Sequence, residues 1–332
     1  MKKKASLLII ALTIAASLIG ICSGTEIYSP LKLMRIFSKP YDYQFESTIL
    51  FQLRIPRVWC AFLVGSGLSL SGLILQAILK NPLAESYILG ISGGASIGIA
   101  AGIILGKMAL IPVFAFAGSI LSILVLLLAA SIRKISVGTL ILIGIMLNFV
   151  FSSFSLLIIT LLQKERFMEA VIWFMGNMSS YQSGILKIAP LFLLPAYAIT
   201  WLFWKQLNIF SLGEEKSIAL GLDPEKKKYI WFLITGLITG YCVSLAGLVG
   251  FVGLVIPHAV RILVGADHRN TIPSSILVGG SFLVLADTLA RTIVKPVEIP
   301  VGVISGFFGG IIFGFLVIGL GLNSTWIGVL YK

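Results

Sequence analysis

Ten apolar runs follow one another through this chain, and no segment between them looks like a separate soluble domain. They fall near 5–24, 58–79, 87–106, 109–131, 137–162, 185–204, 229–247, 249–264, 272–293 and 301–321. A helix that crosses a bilayer needs roughly 20 apolar residues. The charged fraction is only 11% and the mean hydropathy +1.05, whereas a soluble domain is about a quarter charged. The pattern therefore predicts an all-α polytopic membrane protein of ten transmembrane helices. It forms one domain over 1–332, with no separate soluble unit.

The net charge of +12 comes from residues in short loops rather than from one basic face. That excludes a nucleic-acid partner and reads as the bias of Lys and Arg toward cytoplasmic loops. Lys2–Lys4 put the N-terminus in the cytoplasm, and alternation puts the C-terminus there too. No small-residue cleavage site follows the first run, so it reads as an uncleaved span. Cys22, Cys60 and Cys242 lie inside apolar runs, where a disulfide framework or metal site is not expected.

Enzyme signatures are missing. No GxxxxGK[ST] or HExxH occurs, and His258 and His268 are the two histidines. The polar residues that punctuate the apolar runs are more informative, because such groups at membrane depth mark interiors, pathways or docking surfaces. Gly144, Asn148, Ser152 and Ser155 share one face of the fifth span, either bonded to a neighbouring helix or lining a cavity. Ser136, Gly138 and Thr139 at its start are small enough for a narrow gate. Gly90, Gly94, Gly98, Gly102 and Gly106 form a ladder suited to close helix packing. Gly302, Gly306, Gly310 and Gly314 form another, beside Ser305, suited to packing or to lining a path. Asp287 and Arg291 stand one turn apart and can pair, and Pro257-His258 is placed near the inner end of the eighth span. Arg54 and Arg57 of RIPR, with Arg291, sit at the outer surface, where they can dock an acidic partner or anchor lipid headgroups. In the loop 205–228, Ser211 can cap a short helix with Glu214 three residues on. Gly221 then ends that helix and Asp223-Pro224 opens the next. Five spans followed by five more would permit inverted repeats, to which SLSGLILQ (69–76) and SLAGLVGF (244–251) add a faint internal likeness.

Read together, RIPR (54–57), LVGSGLSLSG (63–72), LQAILKNPLAESYILGISGGASIG (75–98), WFMGNMSS (173–180), SLGEEKSIALGL (211–222), GLVGFVGLVIPHAVR (247–261), DHR (267–269), LADTLART (285–292) and EIPVGVISGFFGG (298–310) resemble the permease subunits of bacterial ABC importers for ferric siderophores, haem and cobalamin, the FecCD/BtuC-like permeases. The likeness runs through nearly the whole chain in order. It implies the type II importer fold in the bacterial cytoplasmic membrane, with two permease copies around a central path. It also implies two cytoplasmic ATPase subunits that hold ATP and Mg, no cofactor on this subunit, and an external binding protein. Carried over by residue, Leu212, Gly213, Glu214, Glu215, Leu220 and Gly221 match the ATPase-coupling helices. Arg54, Arg57 and Arg291 match residues that pair with the binding protein. Asn148, Ser152 and Ser305 match path-lining positions, and Ser136, Gly138 and Thr139 the gate, although Val137 and Gly138 separate hydroxyls that are often adjacent in the family. The resemblance favours a ferric siderophore as cargo, with haem and cobalamin behind. A secondary transporter would need a midplane acidic ion site, and Asp287, the nearest match, has Arg291 to neutralise it.

Overall fold

Helix α4 (Ile55–Leu79) is buried along almost its whole length, and the other spans pack around it. The computed structural model of the protein describes residues 2–24, 26–87, 89–132, 137–178 and 183–319. Before α4 come α1 (Lys2–Cys22), α2 (Pro30–Ser38), α3 (Gln44–Thr48) and a π-helical turn, Ile49–Arg54. After it come α5 (Ile91–Ile104), α6 (Ile111–Ile132), α7 (Val137–Thr160), α8 (Lys164–Phe174) and α9 (Ser183–Leu202). The chain continues through α10 (Trp204–Leu212), α11 (Glu214–Ala219), α12 (Pro224–Ala246), α13 (Val252–Val264), α14 (His268–Ala290) and α15 (Val301–Gly319). Seven segments are long and apolar enough to cross a membrane; with the shorter apolar helices α5, α13 and α15, the described residues supply the ten expected. Helices α2 and α8 fall between apolar runs and carry no spanning signal, while α3 opens the helical segment that continues into α4.

Small residues let the spans approach. A methyl group on Gly65 of α4 would overlap the carbonyl of Gly279 in α14, and one on Gly72 would overlap Gly253 of α13. The first glycine ladder is a packing device. Gly94 abuts Gly118 and Gly98 abuts the Phe114 carbonyl, which brings α5 against α6. Its ends are not helical: Gly90 (φ +79°) is the N-cap of α5, and Gly106 (φ +65°) lies past its C-terminus.

Two helices start in mid-bundle. Helix α4 ends at Lys80 (φ 47°), and the described residues 81–87 and 89–90 carry no helix before α5 begins. Helix α12 ends at Gly247 (φ +69°), where a Cβ would overlap the Trp173 carbonyl, and α13 resumes after Phe251 (φ 69°). Gly253, in the first turn of α13, lies beside Leu68 and Gly72, half-way along α4. The backbone groups freed by these breaks are answered locally, as burial requires. The Glu85 carboxyl accepts from the backbone N–H groups of Phe251 and Gly253. Gln76 Nε2 donates to the carbonyls of Gly253 (3.1 Å) and Leu254 (3.3 Å). Thr239 Oγ1 donates to Ser86 Oγ at 2.9 Å. The order long, short, long recurs as α4–α5–α6 and α12–α13–α14, five spans apart and so in opposite directions. Pro257 and His258 lie in the middle of α13, not near its end.

The packing yields a direct prediction. Gly98→Val forces α5 off α6, and overpacking of this kind costs about 1–3 kcal/mol; the melting temperature in detergent should fall by several degrees. Gly314→Ala, which meets open space, should leave it unchanged.

Candidate functional site

Helices α10 and α11 form a knob at one end of the bundle. Leu207 and Phe210 are buried beneath it. The break between the helices is Gly213, whose φ of +106° disfavours any side chain. Ser217 closes the corner by donating to the carbonyls of Ile209 (3.0 Å) and Gly213 (2.6 Å). Ser211 does not cap α11 as the sequence predicts. It ends up inside α10 and donates to the Leu207 carbonyl at 3.0 Å, because Gly213 moves the helix start to Glu214. Gly221 (φ +79°) and the Asp223 cap of α12 match expectation. The knob presents Leu212, Ile218 and Leu220 to its surroundings, with Glu214 and Glu215 exposed beside them. Glu214 lies 3.5 Å from Lys228.

One side chain joins this knob to α14. Asn208 Nδ2 donates to Asp267 Oδ1 at 3.0 Å, while Asn208 Oδ1 accepts from the His268 backbone N–H at 2.9 Å and lies 2.7 Å from His268 Nδ1. Asp267 is itself the N-cap of α14 and accepts from Arg269 N. In the sequence the DHR triplet stands out only as part of the family resemblance, and nothing in its spacing pointed to a partner 60 residues earlier.

The other end of α14 carries a charge cluster. Asp287 is 1% exposed. Arg57 Nε and Nη2 donate to it at 2.9–3.1 Å, and Arg57 Nη1 donates to Glu298 Oε2 at 2.9 Å. Arg291 Nε lies 3.3 Å from Asp287 Oδ2, the expected one-turn pair, and Arg291 Nη2 donates to the Gly20 carbonyl of α1 at 2.6 Å. Arg54 donates to the carbonyls of Ile21, Cys22 and Glu26 and stacks 4.0 Å above the Tyr28 ring. Arg54 and Arg291, at 5% and 7% exposure, are not projecting residues as the sequence implied. Both carry their charge inward because the backbone carbonyls at the end of α1 need donors. Of the cluster, the side with access to solvent is the Arg57–Glu298 pair, Glu298 being 46% exposed.

The polar stripe of α7 turns toward α5. Ser155 Oγ bonds Ser96 Oγ at 2.8 Å, Asn148 packs over Gly93, and the Gly144 carbonyl lies over Gly90. Ser152 is half-buried, and Gly138 and Thr139 are exposed. Ser136 lies outside the described residues. Ser305 is fully buried and donates to the carbonyls of Gly250 (3.3 Å) and Gly302 (3.2 Å). Ser305 therefore supports helix contacts within the subunit, whereas Asn148, like Ser152, is half-buried. The second ladder divides: Gly302 is pressed against Met175 and Leu248, whereas Gly306 and Gly314 face open space near exposed Val303, Phe307 and Phe315. Met175–Asn177 tie the bundle together here, since Asn177 N donates to Ala246 O (2.8 Å) and Gly302 N to Met175 O (3.1 Å). Among the described residues no cluster of His, Cys, Asp or Glu could hold a metal ion.

The sequence pattern of the FecCD transport family matches residues 11–319. The chain belongs to that family. A solved structure described as an inward-facing metal-chelate type ABC transporter superposes with a TM-score of 0.83 at 28% identity, covering 96% of this chain and 99% of that one. The iron(3+)-hydroxamate import system permease protein FhuG of Bacillus subtilis is 32% identical over 319 residues, covering 92% of this chain and 94% of the relative. The hemin transport system permease protein HmuU of Yersinia pestis is 33% identical over 278 residues, covering 81% of this chain and 83% of the relative. With its ten apolar helices, this FecCD member is a multi-pass ABC importer permease.

The charge cluster predicts unequal costs. Asp287→Ala leaves the buried Arg291 and the half-buried Arg57 without that carboxylate, and breaking a buried pair costs about 3–5 kcal/mol. Glu298→Ala removes a half-exposed partner and should cost about 1 kcal/mol or less. Thermal unfolding in detergent should rank the variants in that order.

Proposed function

We propose that the protein imports a ferric chelate, a ferric siderophore first, as one of two identical permease copies driven by a separate ATPase pair. The observation that carries this reading is the hydroxamate permease relative, which matches over nearly its full length. The hemin relative is equally close, so haem is the second reading, with cobalamin behind it on family resemblance. The path between the copies would be walled by the apolar, exposed faces of α7 and α15, with the gate near Gly138 and Thr139. Walls of this kind bind a bulky chelate weakly and so let it pass.

On this reading the α10–α11 knob faces the cytoplasm, with both termini, and the α2 end faces outward. Leu212, Ile218 and Leu220 would seat in the ATPase, flanked by Glu214 and Glu215. The ATPase, not this chain, would hold ATP and Mg and carry out hydrolysis. When ATP draws the two ATPases together, each knob moves, and Asn208 passes the displacement to α14 through Asp267 and His268. At the outer end, an acidic residue of an external binding protein would compete with Glu298 for Arg57. Arg54 and Arg291 would act behind it as fixed positive charge.

Two experiments test this. Reconstituted permease, ATPase and binding protein should take up labelled ferric hydroxamate siderophore in an ATP-dependent way that unlabelled haem and cobalamin do not block. Uptake of labelled haem or cobalamin instead would reassign the cargo. Asn208→Ala should cut uptake about tenfold or more while ATP hydrolysis by the complex persists, since it removes the joint and not the ATPase. Equal loss of both activities would contradict a coupling role.

A further inference from the structure

Helix α2 presents three different stripes. Leu33 and Ile36 are buried against Tyr28 and Leu50. Leu31, Met34 and Phe37 are exposed at successive turns, and a third stripe carries Lys32, Arg35 and Lys39. Lys32 is occupied, 3.4 Å from Glu46 and 4.6 Å from the centre of the Tyr28 ring. Arg35 and Lys39 are exposed, and among the described residues no ion pair engages them. They border an open cleft of about 480 Å³, whose walls also include Leu31 and Met34 and whose rim carries Ser38, Asp42 and Tyr43.

We propose that this cleft binds the headgroup of a glycerophospholipid in the adjacent leaflet, the phosphate between Arg35 and Lys39 and an acyl chain along Leu31 and Met34. The charge is complementary to a phosphate, and the Tyr43 hydroxyl lines the same cleft. Asp42 on the rim opposes further negative charge, so a single phosphate suits the cleft better than a doubly charged group. The apolar stripe argues for lipid over a protein occupant. It continues directly onto exposed apolar residues of the bundle: Phe37 meets Phe51 edge-to-face at 5.2 Å, and exposed Trp59 follows on the same continuous helical segment. An amphipathic helix with cations along one edge, an apolar stripe and a nearby Trp at the bilayer boundary has the make-up of an interfacial element. A surface reserved for a reversible protein partner would leave Leu31, Met34 and Phe37 in water between encounters.

The test is a titration of the full-length, detergent-solubilised protein with phosphatidylglycerol, followed by native mass spectrometry. Arg35→Gln with Lys39→Gln should weaken the tightest phosphatidylglycerol site about tenfold, with an unchanged melting temperature. Arg35→Lys with Lys39→Arg should retain it, and so separates loss of charge from misfolding. Leu31→Ser with Met34→Ser should weaken it too, and inorganic phosphate at the same concentration should not compete. Unchanged lipid binding in the Gln variant overturns the proposal. Full displacement by inorganic phosphate also overturns it, by making the site an anion site rather than a lipid site. If the Gln variant keeps its lipid but loses affinity for the external binding protein, the surface belongs to that partner instead.

Discussion

Backbone groups set free inside the bundle must find partners away from water, and the architecture follows from how this chain supplies them. Two long helices end at Lys80 and at Gly247, and each is followed by a short helix that starts in the interior. An unanswered buried donor or acceptor costs about 1–3 kcal/mol, so an open break would not persist. Glu85 and Gln76 serve the first turn of α13, and Met175–Asn177 bond both to the end of α12 and to the start of α15. The segments that look most irregular are thus the ones most heavily cross-linked. The short helices leave room for close glycine contacts at Gly72–Gly253 and Gly94–Gly118, which let the bundle close around α4.

A second dependence runs along α14. Its first turn is fastened to the α10–α11 knob through Asn208, and its last turn to α4, α1 and Glu298 through Asp287, Arg57 and Arg291. Between these ends the helix packs on α4 at the Gly65–Gly279 contact, which leaves little freedom to bend. Buried ion pairs contribute little net stability but are costly to break singly. They therefore suit a role in fixing geometry. A helix held by polar clusters at both ends can carry a displacement from one face of the bundle to the other, which is what an importer permease has to do.

Much of this was legible in the sequence, and the rest failed for identifiable reasons. The ten spans, the split between 229–247 and 249–264, and the ends of the knob at Gly221 and Asp223 are local properties of hydropathy and turn chemistry. The Asp287–Arg291 pair is likewise one helical turn. Arg57 joins Asp287 across 230 positions, and no local rule reports such a contact. Arg54 and Arg291 looked outward because they flank apolar runs, yet the carbonyls that end α1 draw them in. Periodicity put Asn148 and Ser155 on one face of α7 but could not say that α5 covers it. Ser211 followed a capping pattern that Gly213 overrides. Helices α2 and α8 were invisible to a search for spans because neither is long or uniformly apolar.

On the proposed function, nucleotide on the ATPase moves the two knobs and the permease turns this into transport. Spin labels at position 216, exposed on α11 and outside the residues that seat in the ATPase, in a variant lacking Cys22, Cys60 and Cys242, would report the distance between the two copies in the assembled complex. Double electron–electron resonance should show that distance shortening when ATP replaces the nucleotide-free state. A distance that stays the same with and without ATP, in a complex that still transports, would contradict the account.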